Sequence, residues 1–337
     1  MILSHTSGAL HVRRRCLAFI ALGAAATASF SGWAQSTASY PDRPVRVFQG
    51  FPAGGNADTV ARIVTGEMAK AMGQPFVVEA KPGAGGTIAA DAVAKARADG
   101  LTLLIATGAH AIAPAMYQSL PYVTETAFQP VSTLTNFPFL LVVNNESKYR
   151  NLQDLLNAAK VKAGALNFGS AGQGTGQHMA GELLGRSASV SVTHVPYRGE
   201  APAITALLGN ELDFAMVAPT AVVAHIKAGK LRALATTGSS RWQGLPQLPT
   251  VAEQGMPNFE VSSWIALLAP MGTPKAIVDR LNAEVRAALR NGGVRARLEE
   301  STGGVVLASS PEELKAAISA DIKRWSQLVA DAKLVRQ

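Results

Sequence analysis

Two segments of the chain combine the residue types that hold an anion. Gly50-Phe51-Pro52-Ala53-Gly54-Gly55-Asn56-Ala57-Asp58 follows an apolar run and opens a helical pattern. Gly169-Ser170-Ala171-Gly172-Gln173-Gly174-Thr175-Gly176-Gln177-His178 does the same further on. Glycine lets a backbone turn tightly and approach a ligand closely. The unpaired N–H groups of a helix's first turn, together with its dipole, favour negative charge. Ser170 and Thr175 add hydroxyl donors. One such loop is an ordinary tight connection about as often as not. Two of them, on what the pattern divides into separate lobes, make a pincer for a carboxylate.

Other chemistries fail on spacing. Gly172 to Gln177 lacks the last glycine of a dinucleotide fingerprint, and Asn56 stands where a phosphate-binding loop requires Lys. Phe168 stands two residues before Ser170, so the nucleophile-elbow pattern is absent. The six histidines, His5, His11, His110, His178, His194 and His225, show no ligand spacing. The chain has one cysteine, Cys16. No catalytic residues, metal site or cofactor are therefore expected.

Several single residues have two readings. Asp58 either meets an ammonium or hydroxyl of a ligand or caps the helix that begins there. His178 either donates to a ligand or packs in a first helical turn. Arg198 either neutralises a carboxylate or is a solvated surface cation. Phe51 and Trp264 wall a cleft, or Trp264 packs in the core. Thr107 and Gly108 end one strand, and Thr220 follows another, at the carboxyl ends where open α/β sheets bind ligands. The expected ligand-binding set is Phe51, Ala53, Gly54, Gly55, Asp58, Thr107, Gly108, Ser170, Ala171, Gly172, Gly174, Thr175, His178 and Thr220.

The elements that must position these residues follow from periodicity. Strands are predicted at Val45–Phe48, Leu101–Ile105, Leu140–Val143, Leu166–Phe168, Val190–Val195, Leu212–Val217, Leu231–Thr236 and Val261–Leu268. Helices are predicted over Asp58–Met72, Thr87–Ala98, Leu152–Lys162, from Gln177, and over Ala203–Leu208. Three more close the chain at Pro274–Leu289, Val294–Glu300 and Pro311–Ala332. Near-continuous apolar strands between helices predict parallel sheets covered on both faces. The last helix needs a core to dock on, which predicts a return to the first lobe and two crossings between lobes. The lobes are expected over 35–142 with 258–337, and over 143–257.

The start reads as an address. Arg13, Arg14 and Arg15 precede an apolar run to about Phe30, and Gly32-Trp33-Ala34 offers a cleavage site. Residues 1–34 are thus expected to be a secretory signal peptide, with an uncleaved anchor as the alternative reading. The arginines do not separate the general from the twin-arginine export route. The chain has 31 Lys and Arg against 23 Asp and Glu, a net +8. Removing three arginines and no acid leaves 28 against 23, or +5. That charge draws anions at long range. The basic residues are scattered, so no nucleic-acid partner is expected. A cysteine-free mature chain of about 300 residues is long enough to bury its own core.

With these residues on the page, the chain resembles the substrate-binding proteins of tripartite tricarboxylate transporters, the Bug receptors, from about Tyr40 to its end. The resemblance rests on Tyr40-Pro41-Asp42-Arg43-Pro44-Val45, the Pro52–Asp58 loop and Lys81-Pro82-Gly83-Ala84-Gly85-Gly86. It continues through Asp99–Leu104, the Gly169–His178 loop and His194-Val195-Pro196-Tyr197-Arg198-Gly199. Ala228–Ala235, Pro249–Glu253 and Ala269–Pro274 complete it. One stretch, Val123–Val131, departs from the acids the family usually carries before its Phe-x-Pro-Val and reads as a surface loop. The resemblance implies an α/β, two-lobed type II periplasmic binding fold with a hinge and an interlobe ligand cleft. It also implies a monomeric periplasmic receptor that passes a small organic carboxylate to transporter membrane components. A periplasmic carboxylate sensor subunit signalling to a membrane kinase has the same fold and remains the alternative.

Overall fold

The computed structural model describes residues 40–161 and 163–337, so the expected signal peptide and its cleavage point lie outside the described residues. In chain order the elements begin with β1 (Val45–Gln49), α1 (Asn56–Met72), β2 (Phe76–Ala80), α2 (Thr87–Ala94), β3 (Thr102–Thr107) and α3 (Ala109–Met116). β4 (Phe128–Pro138) and β5 (Leu140–Asn144) follow with Phe139 alone between them. Next come α4 (Leu152–Val161), β6 (Leu166–Ser170), α5 (Gly176–Ser187), β7 (Val192–Pro196), α6 (Glu200–Leu208), β8 (Phe214–Val217), α7 (Pro219–Lys227) and β9 (Leu231–Thr236). The chain closes with β10 (Ser262–Pro270), α8 (Lys275–Arg290), α9 (Gly292–Thr302), β11 (Val305–Val306) and α10 (Pro311–Asp331).

The strands form two sheets, in the orders β11-β4-β10-β3-β1-β2 and β7-β6-β8-β5-β9. The sheets are mixed, which corrects the expectation of all-parallel pairing. β10 runs antiparallel to both β3 and β4, and β5 runs antiparallel to both β8 and β9. β5 and β10 are the two strands that the chain enters on arriving from the other sheet. The remaining long strands run toward the space between the sheets, so a strand entered from that space must run away from it. β5 lies wholly in the second sheet, so the chain changes sheets at Phe139.

The two crossings are bonded to each other. Phe139 N donates to Thr237 Oγ1 at 2.8 Å, and Thr237 N donates back to Phe139 O at 2.9 Å. Thr237 Oγ1 donates to Val261 O at 2.6 Å, and Val261 N donates to Thr237 O at 2.8 Å. A single buried threonine thus links the outgoing and returning chains.

The core of each sheet follows from its apolar runs. Leu103, Leu104, Ile105, Leu134 and Ile265–Leu268 are buried in the first. α8 buries Ile277, Leu281, Val285 and Leu289, and α10 buries Leu314, Ile318, Trp325 and Val329. α10 packs on α3 and β4, elements of the first sheet's side. Its start is fixed by a capping box: Ser310 Oγ accepts from Glu313 N, and Glu313 accepts from Ser310 N. In the second sheet Leu140, Val142, Ala215 and Val217 pack against Ile204 and Leu207 of α6. Among the described residues no helix is long and apolar enough to cross a membrane.

Candidate functional site

The first glycine loop is held by the side chains at its two ends. Gln49, buried at the end of β1, accepts a hydrogen bond from Phe51 N at 2.8 Å. Asp58, in the first turn of α1, accepts from Gly54 N at 3.0 Å and from Arg62 Nε at 2.9 Å. Burial pushes the Asp58 carboxyl up, but the bonds from Arg62 and Gly54 outweigh it and hold the carboxyl below its ordinary value. Gly54 sits at φ +81°, where a side chain is strained.

The second loop is built on a buried polar stack. The Ser170 hydroxyl lies 2.7 Å from His194 Nε2 and also bonds the backbone of Gly172. The rings of His194 and His178 stack with centroids 4.0 Å apart. His178 Nδ1 accepts from Gly174 N at 3.3 Å. Burial, reinforced by His178, pushes His194 down to about 3, so it is neutral at physiological pH. Thr175 caps α5: its Oγ1 accepts from His178 N and donates to Gly172 O at 2.6 Å.

Each glycine loop approaches a connection from the other sheet. A Cβ on Gly199 would lie 3.2 Å from Pro52 Cγ, and one on Gly85 would lie 3.6 Å from Gln173 O. They enclose a cavity of about 500 Å³. Five helices begin at its wall: α1 at Gly55–Ala57, α3 at Ala109, α5 at Thr175–Gln177, α6 at Gly199–Ala201, and α7 at Ala218–Ala221. Phe137, Phe139, Ile204 and Ile265 supply apolar surface. The ionisable side chains on this wall are Arg198, Glu200 and His225. Converging helix N-termini in a cavity with few charged walls can hold an anion through N–H donors and dipoles rather than through an ion pair.

Of the expected ligand-binding set, Phe51, Ala53, Gly54, Gly55, Thr107, Ala171, Thr175 and Thr220 line this cavity. Asp58, Gly108, Ser170, Gly172, Gly174 and His178 do not line it. Asp58 is turned to Arg62 and Gly54 N. Gly108 N donates to Trp264 O at 3.1 Å and to Ser263 Oγ at 3.2 Å. Ser170 and His178 are committed to the stack beneath the second loop, and Gly172 and Gly174 supply its turns at φ +133° and +72°. Trp264 packs in the core, donating from Nε1 to Asp321 Oδ2 at 2.7 Å. Arg198 is exposed at the cavity.

Sequence reasoning missed Asn56, Gln177 and Glu200. Both amide atoms of Asn56 are buried without a partner, although the residue lines the cavity. Glu200 Oε1 accepts from Ala218 N at 2.6 Å and from Gln177 Nε2 at 2.8 Å, joining the starts of α5, α6 and α7. The usable signal for α6 and α7 was Gly before Glu200 and Pro219 at a first helical position.

Comparison with known proteins places this architecture. The family described as "Tripartite tricarboxylate transporter family receptor" matches residues 60–334. A UPF0065 protein from the tcbD-tcbE intergenic region of Pseudomonas sp. is 38% identical, over 96% of this chain and 95% of its own length. The periplasmic binding protein BugD superposes with a TM-score of 0.82 at 34% identity, covering 88% of this chain and 100% of that one. An R. palustris protein, Rpa4515, solved with adipate, gives 0.84 at 32% identity, over 88% and 100% of the two chains. MatC from Rhodopseudomonas palustris with bound malate gives 0.80 at 36% identity, over 86% and 100%.

Proposed function

The chain belongs to the tripartite tricarboxylate transporter receptor family, and from that premise we propose that it is a periplasmic receptor that captures a small organic carboxylate for the membrane components of such a transporter. The observation that carries the reading is the meeting of five helix N-termini, from both sheets, at one cavity with few charged walls. The solute's carboxylate takes the N–H groups at the start of α1 and the hydroxyl of Thr220, and closure removes water from between them. Hydrogen bonds to charged oxygens strengthen as the local dielectric falls. The same physics explains closure without a buried arginine: each lobe offers only part of the donor set, so the complete set exists only when the lobes meet.

We assign the two lobes to the two sheets, with the hinge at Phe139 and 237–261. Phe51, Ala53, Gly54, Gly55, Thr107, Ala171, Thr175 and Thr220 form the contact surface, and Asn56 joins them. Adipate and malate, held by two solved relatives, are the starting ligands of interest.

The test is a thermal-shift screen of the purified mature chain against dicarboxylates, tricarboxylates, aromatic acids and amino acids, followed by calorimetry. A ligand at 100 times its Kd adds about 2.7 kcal/mol of stability. Stabilisation by a carboxylate, and not by its amide or ester, is the expected result. Stabilisation by neutral or cationic solutes alone would refute the reading.

A further inference from the structure

Glu200 is a carboxyl group where the proposed ligand needs donors. It is the first residue of α6, it lines the cavity, and both donors that reach it, Ala218 N and Gln177 Nε2, end on the same oxygen, Oε1. An ionised carboxylate only accepts, whereas a protonated one has one O–H to donate. Two donors on Oε1 and none on Oε2 fit a neutral acid, in which Oε1 is the carbonyl and Oε2 the hydroxyl. Oε2 takes no hydrogen bond from the described residues, and Glu200 lines the cavity in which a solute carboxylate would sit. Two ionised carboxylates at such close quarters repel, whereas one proton shared between them makes a strong, charge-assisted hydrogen bond.

We propose that Glu200 acts as a hydrogen-bond donor to the bound solute: Oε2 carries a proton and gives it to a carboxylate oxygen of the ligand, so that binding is linked to protonation of this residue. The inference rests on the reading of the cavity as a carboxylate site. Burial supports it by pushing the Glu200 carboxyl above its ordinary value, against the opposing bonds from Ala218 and Gln177. The surroundings are consistent with it. α5 faces Glu200 with the neutral amide of Gln177, while His178 of that helix is turned to His194. α7 brings Ala218 N and, further along, His225 to the same cavity. Arg198 stands two residues ahead on the wall, and the first loop contributes Asn56 there, with Asp58 turned to Arg62. Among the described residues no cation pairs with Glu200, so no ion pair holds it ionised.

The experiment has two arms. In the first, the whole mature protein is labelled with carbon-13 at the glutamate δ carbons and titrated by NMR without ligand. The resonance that E200Q removes is expected to titrate at higher pH than the other glutamates. Titration together with the ordinary glutamates overturns the donor role, whichever solute the protein binds. In the second, adipate and malate are titrated calorimetrically over a pH range in which both are fully ionised. Affinity is expected to fall about tenfold per pH unit above the Glu200 titration, as one linked proton requires. In E200Q, whose amide N–H₂ donates from the same position, the pH dependence should vanish. E200A should bind more weakly than E200Q at every pH. Wild type with a flat profile, or E200Q as weak as E200A, overturns the proposal. Stabilisation of the protein by no carboxylate at all would instead defeat the functional reading, and the NMR arm separates the two failures.

Discussion

The Ser170 hydroxyl lies 2.7 Å from His194 Nε2, in a fully buried position beneath the second glycine loop. Its role is to set the shape of that loop, because the same oxygen bonds Gly172 on both its N–H and its carbonyl. Ser170→Ala leaves a buried imidazole nitrogen without its partner, which costs about 1–3 kcal/mol. Urea unfolding should report that loss with an unchanged m value. Carboxylate affinity should fall less than in Thr220→Val, since Thr220 faces the cavity and Ser170 does not.

His194 makes stability depend on pH in a defined direction. Burial first, and then His178, depress its pKa from 6.5 to about 3, so the folded chain holds the neutral ring. The unfolded chain begins to bind a proton there below about pH 6.5. The stabilisation is therefore complete above that pH and is lost as pH falls toward the folded value, by up to about 1.4 kcal/mol per unit. His110, depressed to about 4 by burial, adds to the same trend. Denaturation midpoints measured from pH 7 to 4 should fall, and His194→Gln should flatten the slope. A slope equal to that of the wild type would show that His194 titrates normally.

Much of this site was legible locally, and the remainder depended on distant partners. The two glycine loops announced themselves because a strand, a run of glycines and a helix start are contiguous in sequence. Which way Ser170 points was not legible, because its partner His194 is 24 positions away on the neighbouring strand. The starts of α6 and α7 were missed as donors because neither has a capping side chain to mark it. β4 was missed because Pro130 interrupts its pattern. The structure accommodates that proline beside an irregularity in the β4–β10 register. α3 was missed for the matching reason, Pro114 inside a short alanine-rich helix. Strand direction was misjudged because apolar runs show burial on both faces but not the side from which the chain arrives.

Gly54→Val tests the first loop as a surface. Gly54 lines the cavity, and a Cβ there meets nothing within 4 Å. Two effects are expected. The φ of +81° costs a β-branched residue about 1–2 kcal/mol in stability. The isopropyl group takes volume that a solute needs near the start of α1, and affinity should fall by more than about tenfold. Gly54→Ala separates the two, since it carries most of the backbone cost and little of the bulk. Equal affinities for Val and Ala variants would place the solute away from this loop.

Asn56 offers the sharpest division between stability and function. Its Nδ2 and Oδ1 are both buried and without a partner, and it is the first residue of α1 on the cavity wall. A buried amide left unsatisfied costs free energy in the empty protein, so it is retained at a cost to the unliganded fold. A carboxylate arriving at the start of α1 supplies the acceptor that Nδ2 lacks, and a hydroxyl or an ordered water supplies a donor for Oδ1. Removing the amide therefore acts with opposite signs in the two states. Asn56→Ala should leave the unliganded melting temperature unchanged or raise it, because an unsatisfied polar group is gone. The same substitution should weaken carboxylate binding by roughly ten- to a hundredfold, the value of one hydrogen bond to a charged group. Asn56→Asp should be worse still, since it sets a negative charge against the incoming anion at the helix end that would hold it. The measurements are thermal melts without ligand and calorimetric titration with the acid that stabilises the wild type most. A variant that melts lower than wild type yet binds with full affinity would show that the amide serves the fold, through a partner gained in solution, and not the ligand.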